Sequence, residues 1–124
     1  MKTSNLSTGR LGEDEACRYL LSIGHRILFR NWRSSHLEID IISEDPEGIH
    51  IVEVKTRRSR ALAAPERNVD FRKRLRLVRA ANAFLHSGAV KGCPDLFFDV
   101  VSVVLDGDGV RLEYFPKAFI PLRF

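Results

Sequence analysis

Two alternating apolar runs around one turn constrain this chain more than any other feature. Residues 36–43 read His-Leu-Glu-Ile-Asp-Ile-Ile-Ser and residues 49–56 read Ile-His-Ile-Val-Glu-Val-Lys-Thr, separated by Glu44-Asp45-Pro46-Glu47-Gly48. β-branched residues at period two, bounded by Pro and Gly, specify a β-hairpin. Along the first strand Leu37, Ile39 and Ile41 alternate with Glu38, Asp40 and Ile42. A symmetric turn places Asp40 opposite Glu53 and Glu38 opposite Lys55. Directly opposed side chains stand about 4.5–5.5 Å apart, where two carboxylates repel. A cation between them removes that penalty, and oxygen-only ligands suit Mg²⁺ or Mn²⁺.

Glu53 and Lys55 share a strand face with Ile49 and Ile51, while Val52 and Val54 are apolar on the other face. A strand covered on both sides is an unusual place for charges without a task. A lysine beside a metal can orient or deprotonate water, or neutralise charge developing on a phosphate. The same pattern also fits a solvated face, with Glu38 and Lys55 as a cross-strand ion pair.

The rest of the chain supplies an α/β frame. A helix capped by Ser7 or Thr8 runs to about residue 21, with Gly24 beyond it. Its stripe of Ala16, Cys17, Leu20 and Leu21 extends back to Glu13, which either points toward the sheet or favours the helix dipole. Residues 26–32 read as a strand and 57–67 as a loop. A long helix spans about 69–86, closed by Gly88. Residues 96–105 form an apolar strand, Asp106-Gly107-Asp108-Gly109 a turn, and 110–115 the last strand. An apolar tail, 116–124, should pack on the core. The expected order is α-β-β-β-α-β-β, one domain over 1–124 with a central mixed sheet flanked by helices.

The net charge is +4, but residues 57–79 alone carry +7, which leaves −3 for the remainder. Basic charge concentrated in one segment points to a polyanion. Lys73 lies on the same stripe as Leu77, Ala80 and Phe84, so its stem can follow the apolar face to the sheet. Arg72, Arg76 and Arg79 form another stripe, suited to phosphates or to ordinary solvation. Cys17 and Cys93 are far apart and show no zinc spacing. No apolar run approaches the roughly 20 residues needed to span a bilayer. The N-terminus leads into no apolar signal stretch, so the expected compartment is the cytoplasm.

Taken in order, several short pieces resemble one family. They are Gly9-Arg10-Leu11-Gly12-Glu13 with Ala16, Leu20 and Gly24; Arg30-Asn31-Trp32-Arg33; Glu38-Ile39-Asp40-Ile41-Ile42; Val52-Glu53-Val54-Lys55-Thr56-Arg57; Val69, Lys73 and Ala80; and Phe98-Asp99-Val100-Val101. Together they resemble the YraN-like family of small bacterial endonuclease-like proteins, related to archaeal Holliday-junction resolvases and to the wider PD-(D/E)XK nucleases. That resemblance implies a restriction-endonuclease-like fold and metal-dependent hydrolysis of phosphodiester bonds in DNA, with branched or junction DNA as candidate substrates. It implies Mg²⁺ (or Mn²⁺) on Asp40, Glu53 and the Val54 carbonyl, with Lys55 at the attacking water and Glu13 completing the site. Arg57, Arg58, Arg60, Arg72, Lys73, Arg76 and Arg79 would hold the nucleic-acid backbone. Resolvase relatives act as symmetric dimers, which makes a homodimer the expected assembly. Phe97, Phe115, Phe119 and Phe124 could supply its surface or simply fill the core. The pattern departs at Leu37, where the family usually has Gly, and at Phe97, where it usually has a basic residue; neither removes a ligand. The alternative is a nucleic-acid-binding module that grips but does not cut.

Overall fold

The computed structural model describes residues 5–59, 67–107 and 109–120. Helix α1 (Asn5–Ser22) leads into strands β1 (Arg26–Ser34), β2 (Leu37–Asp45) and β3 (Gly48–Arg58). Helix α2 (Phe71–His86) follows, then β4 (Leu96–Asp106) and β5 (Gly109–Phe119). The expected order is observed. The five strands lie in chain order in one sheet. Only β3 and β4 are parallel; the other neighbours are antiparallel, so the sheet is mixed.

Each helix covers one face. Ala16, Cys17 and Leu20 of α1 are buried against Ile41, Val52, Val101 and Val103. On the other face Leu77, Ala80, Ala81 and Phe84 of α2 are buried against Ile39, Ile42, Ile49, Ile51 and Phe98. The apolar stripes read from the sequence are therefore buried, except that Leu21 of α1 is exposed. None of the described helices is long and apolar enough to cross a membrane.

Several boundaries differ from expectation. Helix α1 is already formed at Asn5, upstream of Ser7 and Thr8, so neither residue is its cap. Helix α2 begins after Asp70, whose carboxylate accepts from the Lys73 amide. Strand β5 runs through Pro116 to Phe119, and Phe119 is buried and stacked on Phe98. Much of the expected tail is thus strand, while residues 121–124, including Phe124, lie outside the described residues, as do residues 60–66.

The alternation expected along β2 also breaks. Ile41 packs under α1, yet Ile39, two residues earlier, packs under α2. The switch occurs at Asp40, across from Asn31 of β1, which adopts a left-handed φ of 51°. Asn tolerates that conformation better than most residues. Its consequence is that Arg30 and Asn31 both reach Glu13 on α1, whereas Trp32 packs on Phe84 of α2.

Helix α1 approaches β3 closely at Gly12. A Cβ built there would lie 1.8 Å from Thr56 Oγ1 and 2.7 Å from Thr56 Cβ. Alanine would improve helix propensity by about 1 kcal/mol. Against that, a clash with a β-branched Cβ cannot be relieved by a rotamer change, and overpacking costs typically ~1–3 kcal/mol. We expect Gly12→Ala to lower stability in urea denaturation, with partial recovery in Gly12→Ala/Thr56→Gly. No recovery would mean that the contact with Thr56 is not what requires glycine.

Candidate metal centre

The hairpin turn is tight, and its ladder runs from Asp45↔Gly48 to Ile41↔Val52 in the expected register. There β2 and β3 part. Strand β2 stays with β1 as far as Leu37, and β3 stays with β4 as far as Arg58. Asp40 sits at this fork. Its Oδ2 accepts a 2.8 Å hydrogen bond from the Val54 amide, so a carboxylate takes the place of a strand carbonyl. Glu38, beyond the fork, does not oppose Lys55; it pairs with Arg33 across β1 at 3.3 Å.

Three acids meet around the fork. Burial and the Glu53 charge push the Asp40 carboxyl up to about 7, against a smaller lowering by the Val54 hydrogen bond. Glu13 is also raised, by burial first and then by Asp40, while a hydrogen bond from Asn31 lowers it. Glu53 receives Lys73 Nζ from α2 at 3.5 Å. The predicted reach of Lys73 to the sheet is therefore observed, and it serves an acid of the site as an ion-pair partner.

Asp40, Glu13 and Val54 line a cavity of about 300 Å³ with Thr8, Gly9 and Thr56. A second cavity of about 460 Å³ shares Gly9 and Glu13 with it and adds Arg10, Arg30, Asn31, Arg33 and Glu38. Arg10, Arg30 and Arg33 of this second cavity stand in the pieces that carry the family resemblance, but no site role was read for them from the sequence. Arg30 contacts Asp14 at 2.7 Å and Glu13 at 3.6 Å.

The remaining residues of interest are distributed as follows. Lys55 is half-buried and shares the strand face of Glu53. Arg57 lies at the end of the β3–β4 ladder, and Arg58 donates to Thr8 Oγ1 at 3.0 Å. Arg72, Arg76 and Arg79 are exposed along one side of α2. Arg60 lies outside the described residues.

A separate polar cluster, absent from the sequence reading, occupies the α1 side near the hairpin turn. Both ring nitrogens of His50 meet carboxylate acceptors, Nδ1 at Asp99 Oδ2 (2.6 Å) and Nε2 at Asp45 Oδ1 (2.8 Å). His25 bonds Ser43 Oγ through Nδ1 at 2.9 Å and turns Nε2 toward Asp45 Oδ2 at 3.6 Å. Asp99 is fully buried and also accepts from the Tyr114 hydroxyl and the Lys117 amide. Burial opposes the His50 proton, but the hydrogen bonds to Asp99 and Asp45 outweigh it and raise the pKa. Burial and the neighbouring His50 lower that of His25. His25, Asp45 and His50 each offer a ligand atom within 4.8 Å of the others, the one group of three His, Cys, Asp or Glu residues that close among the described residues; Glu13, Asp40 and Glu53 are spread more widely.

The chain is similar to a protein of Oleidesulfovibrio alaskensis, 47% identical over 103 residues, 83% of this chain and 50% of that one. It thus spans half the length of that relative. A protein of Nitratidesulfovibrio vulgaris is 44% identical over 115 residues (91% of this chain, 84% of that one). A protein of Bacteroides thetaiotaomicron is 37% identical over 116 residues, 94% of each chain. All three carry the name UPF0102 protein. The profile of that family, described as Uncharacterised protein family UPF0102, matches residues 12–103 and so takes in Glu13, the strand fork and the Asp99 cluster: the chain belongs to the UPF0102 (YraN-like) family.

Proposed function

We propose that this chain is a metal-dependent endonuclease of restriction-endonuclease-like type acting on DNA. The observation that carries the reading is Asp40, at a fork where the sheet opens, within electrostatic reach of both Glu53 and Glu13. Glu53 raises the proton affinity of Asp40, and Asp40 that of Glu13, so a hard divalent cation would stabilise the site. Oxygen ligands alone fit Mg²⁺ or Mn²⁺ rather than a softer ion. Asp40 and Glu53 would hold the ion with the Val54 carbonyl, which belongs to the residue whose amide already fixes Asp40. Bound there, the ion would polarise a phosphate and lower the pKa of a coordinated water.

The protein's own groups do the rest. Glu13 hydrogen-bonds with Asn31 and faces Asp40 across the cavity, where it can orient a water. Lys55, on the strand face of Glu53, stabilises developing charge on the phosphate. Lys73 holds the Glu53 carboxylate in place. Phosphates of the bound strand would run past Arg10 and Arg33 and onto the exposed arginines of α2. Such contacts position a backbone without reading sequence.

The test is incubation of the full chain with branched, flapped and linear DNA in Mg²⁺, in Mn²⁺ and in EDTA. Cleavage confined to the metal-containing reactions supports the reading. Salt-sensitive binding with no cleavage of any substrate would establish the binding module instead. Binding itself has a quantitative expectation. Arg72→Ala/Arg76→Ala/Arg79→Ala should weaken affinity at every sequence and flatten the salt dependence by roughly one power of salt concentration per arginine in contact. An unchanged salt slope would remove α2 from the interface.

A further inference from the structure

We propose a second metal site, for a tetrahedral transition-metal ion of the Zn²⁺ class, formed by His25, His50 and Asp45. It is independent of the acids at the strand fork. Asp40 and Asp45 are five residues apart on β2, roughly 16 Å along an extended strand. His50 and Glu53 project from opposite faces of β3, since His50 joins the α1 side and Glu53 receives Lys73 from α2.

The geometry is that of ligands already aimed. Both imidazoles are anchored through Nδ1, His50 by Asp99 and His25 by Ser43. Both Nε2 atoms consequently converge on the two oxygens of one carboxylate, at 2.8 Å and 3.6 Å. Zinc bonds of about 2.0–2.2 Å to nitrogen and oxygen place tetrahedral ligand atoms roughly 3.3–3.5 Å apart. The two imidazole–carboxylate separations bracket that edge. Only small rotations, available to the half-buried Asp45, would close the set.

The second layer of contacts supports the same ion. A metal-binding histidine characteristically donates its other N–H to a carboxylate, which fixes the tautomer and increases the basicity of the ligating nitrogen. Asp99 occupies that position, is itself held by Tyr114 and the Lys117 amide, and is fully buried. Charge counting agrees. With His50 as an imidazolium between Asp45 and Asp99, the cluster carries −1. A divalent ion on two neutral imidazoles leaves it at zero. Burial favours the neutral arrangement. Two nitrogen donors in a set of three disfavour Mg²⁺ and favour Zn²⁺ or Co²⁺. Of the three ligands only Asp45 is not buried, and Glu47 in the adjoining turn is exposed, so an ion would enter from the turn. A bound ion would join the α1–β1 connection, the end of β2 and the start of β3.

The experiment is calorimetric titration of the EDTA-treated full chain with Zn²⁺, with Co²⁺ absorption as a geometric readout and thermal unfolding as a stability readout. One Zn²⁺ per chain is expected, together with the intense visible bands of tetrahedral Co²⁺ and a midpoint raised by Zn²⁺ but not by Mg²⁺. His25→Gln and Asp45→Asn should each weaken Zn²⁺ binding by at least about 100-fold while circular dichroism shows an intact fold. Because Asp99 depends on His50, His50→Gln is avoided as a primary variant. Cys93 is exposed and free, and could take zinc on its own account. Cys93→Ser should therefore bind as the wild type does. Absence of Zn²⁺ binding, its loss in Cys93→Ser, or its persistence in both His25→Gln and Asp45→Asn each overturns the site.

Discussion

Asp40→Asn should make the metal-free protein more stable above pH 7 and abolish cleavage at the same time. The Asp40 carboxyl is raised from 3.8 to about 7 by burial and by Glu53. A group whose folded pKa lies above its unfolded one binds the extra proton in the folded state, so stability falls as pH rises. In EDTA the loss should begin above about pH 4 and be complete above about pH 7. Each factor of ten in proton affinity is worth roughly 1.4 kcal/mol. Asparagine keeps an acceptor for the Val54 amide and removes the buried charge. We expect a gain of about 1–3 kcal/mol at pH 8, with a flatter pH profile. Loss of a ligand and of its charge should lower cleavage on the order of 10³-fold. Mg²⁺ should raise the unfolding midpoint of the wild type and leave that of Asp40→Asn unchanged. A variant that is less stable than wild type at pH 8 in EDTA would contradict the account of Asp40 as a charge held against repulsion.

Phe84→Ala should be the most damaging single truncation in the core. Phe84 has no exposed surface and meets Phe29 and Trp32 edge-on at 5.6 and 5.4 Å. Removing a buried phenyl ring costs about 3–5 kcal/mol, a large part of the 5–15 kcal/mol that holds an ordinary domain together. The loss falls on the contact that seats α2 against β1. Lys73 and the arginine stripe ride on that helix, so DNA binding should weaken along with stability. Phe84→Leu fills most of the space and should lose less than half as much. Equal midpoints for Phe84→Ala and Phe84→Leu in chemical denaturation would show that the ring is not packed as described.

The hairpin was legible because local rules determine it. Pro46 and Gly48 mark the turn, the turn sets the register, and the register brings the Asp40 and Glu53 segments together. What the sequence does not display is the fork. It lies beside Asn31, on another strand, in a conformation that no periodicity records. The expected Asp40–Glu53 ladder pair is thus replaced by a hydrogen bond from Asp40 to the Val54 amide. Glu38 was misplaced opposite Lys55 for the same reason. Glu13 and Lys73 were legible as polar residues on apolar stripes, and both reach the acids of the fork. The His25–Asp45–His50–Asp99 cluster was not, because its members come from the α1–β1 connection and three strands at separations that match no ligand spacing. Strand β5 was cut short in the reading because proline ordinarily ends a strand; here it lies on an outer strand, where no neighbour among the described residues needs its missing N–H.

That placement has a consequence for solubility. An open sheet ends in two unpaired borders, and either can recruit a strand from another molecule and grow without limit. Here both borders are interrupted. On β5, Pro116 withholds a donor and Lys117 follows with a φ of 52°; on β1, Asn31 turns out of line between Arg30 and Arg33. A foreign strand laid along either border would meet a gap in its hydrogen bonds and a row of charge. Self-association by strand addition is thereby disfavoured, and any pairing of two copies is steered to the surfaces of the layers, where a two-fold contact closes on itself rather than propagating.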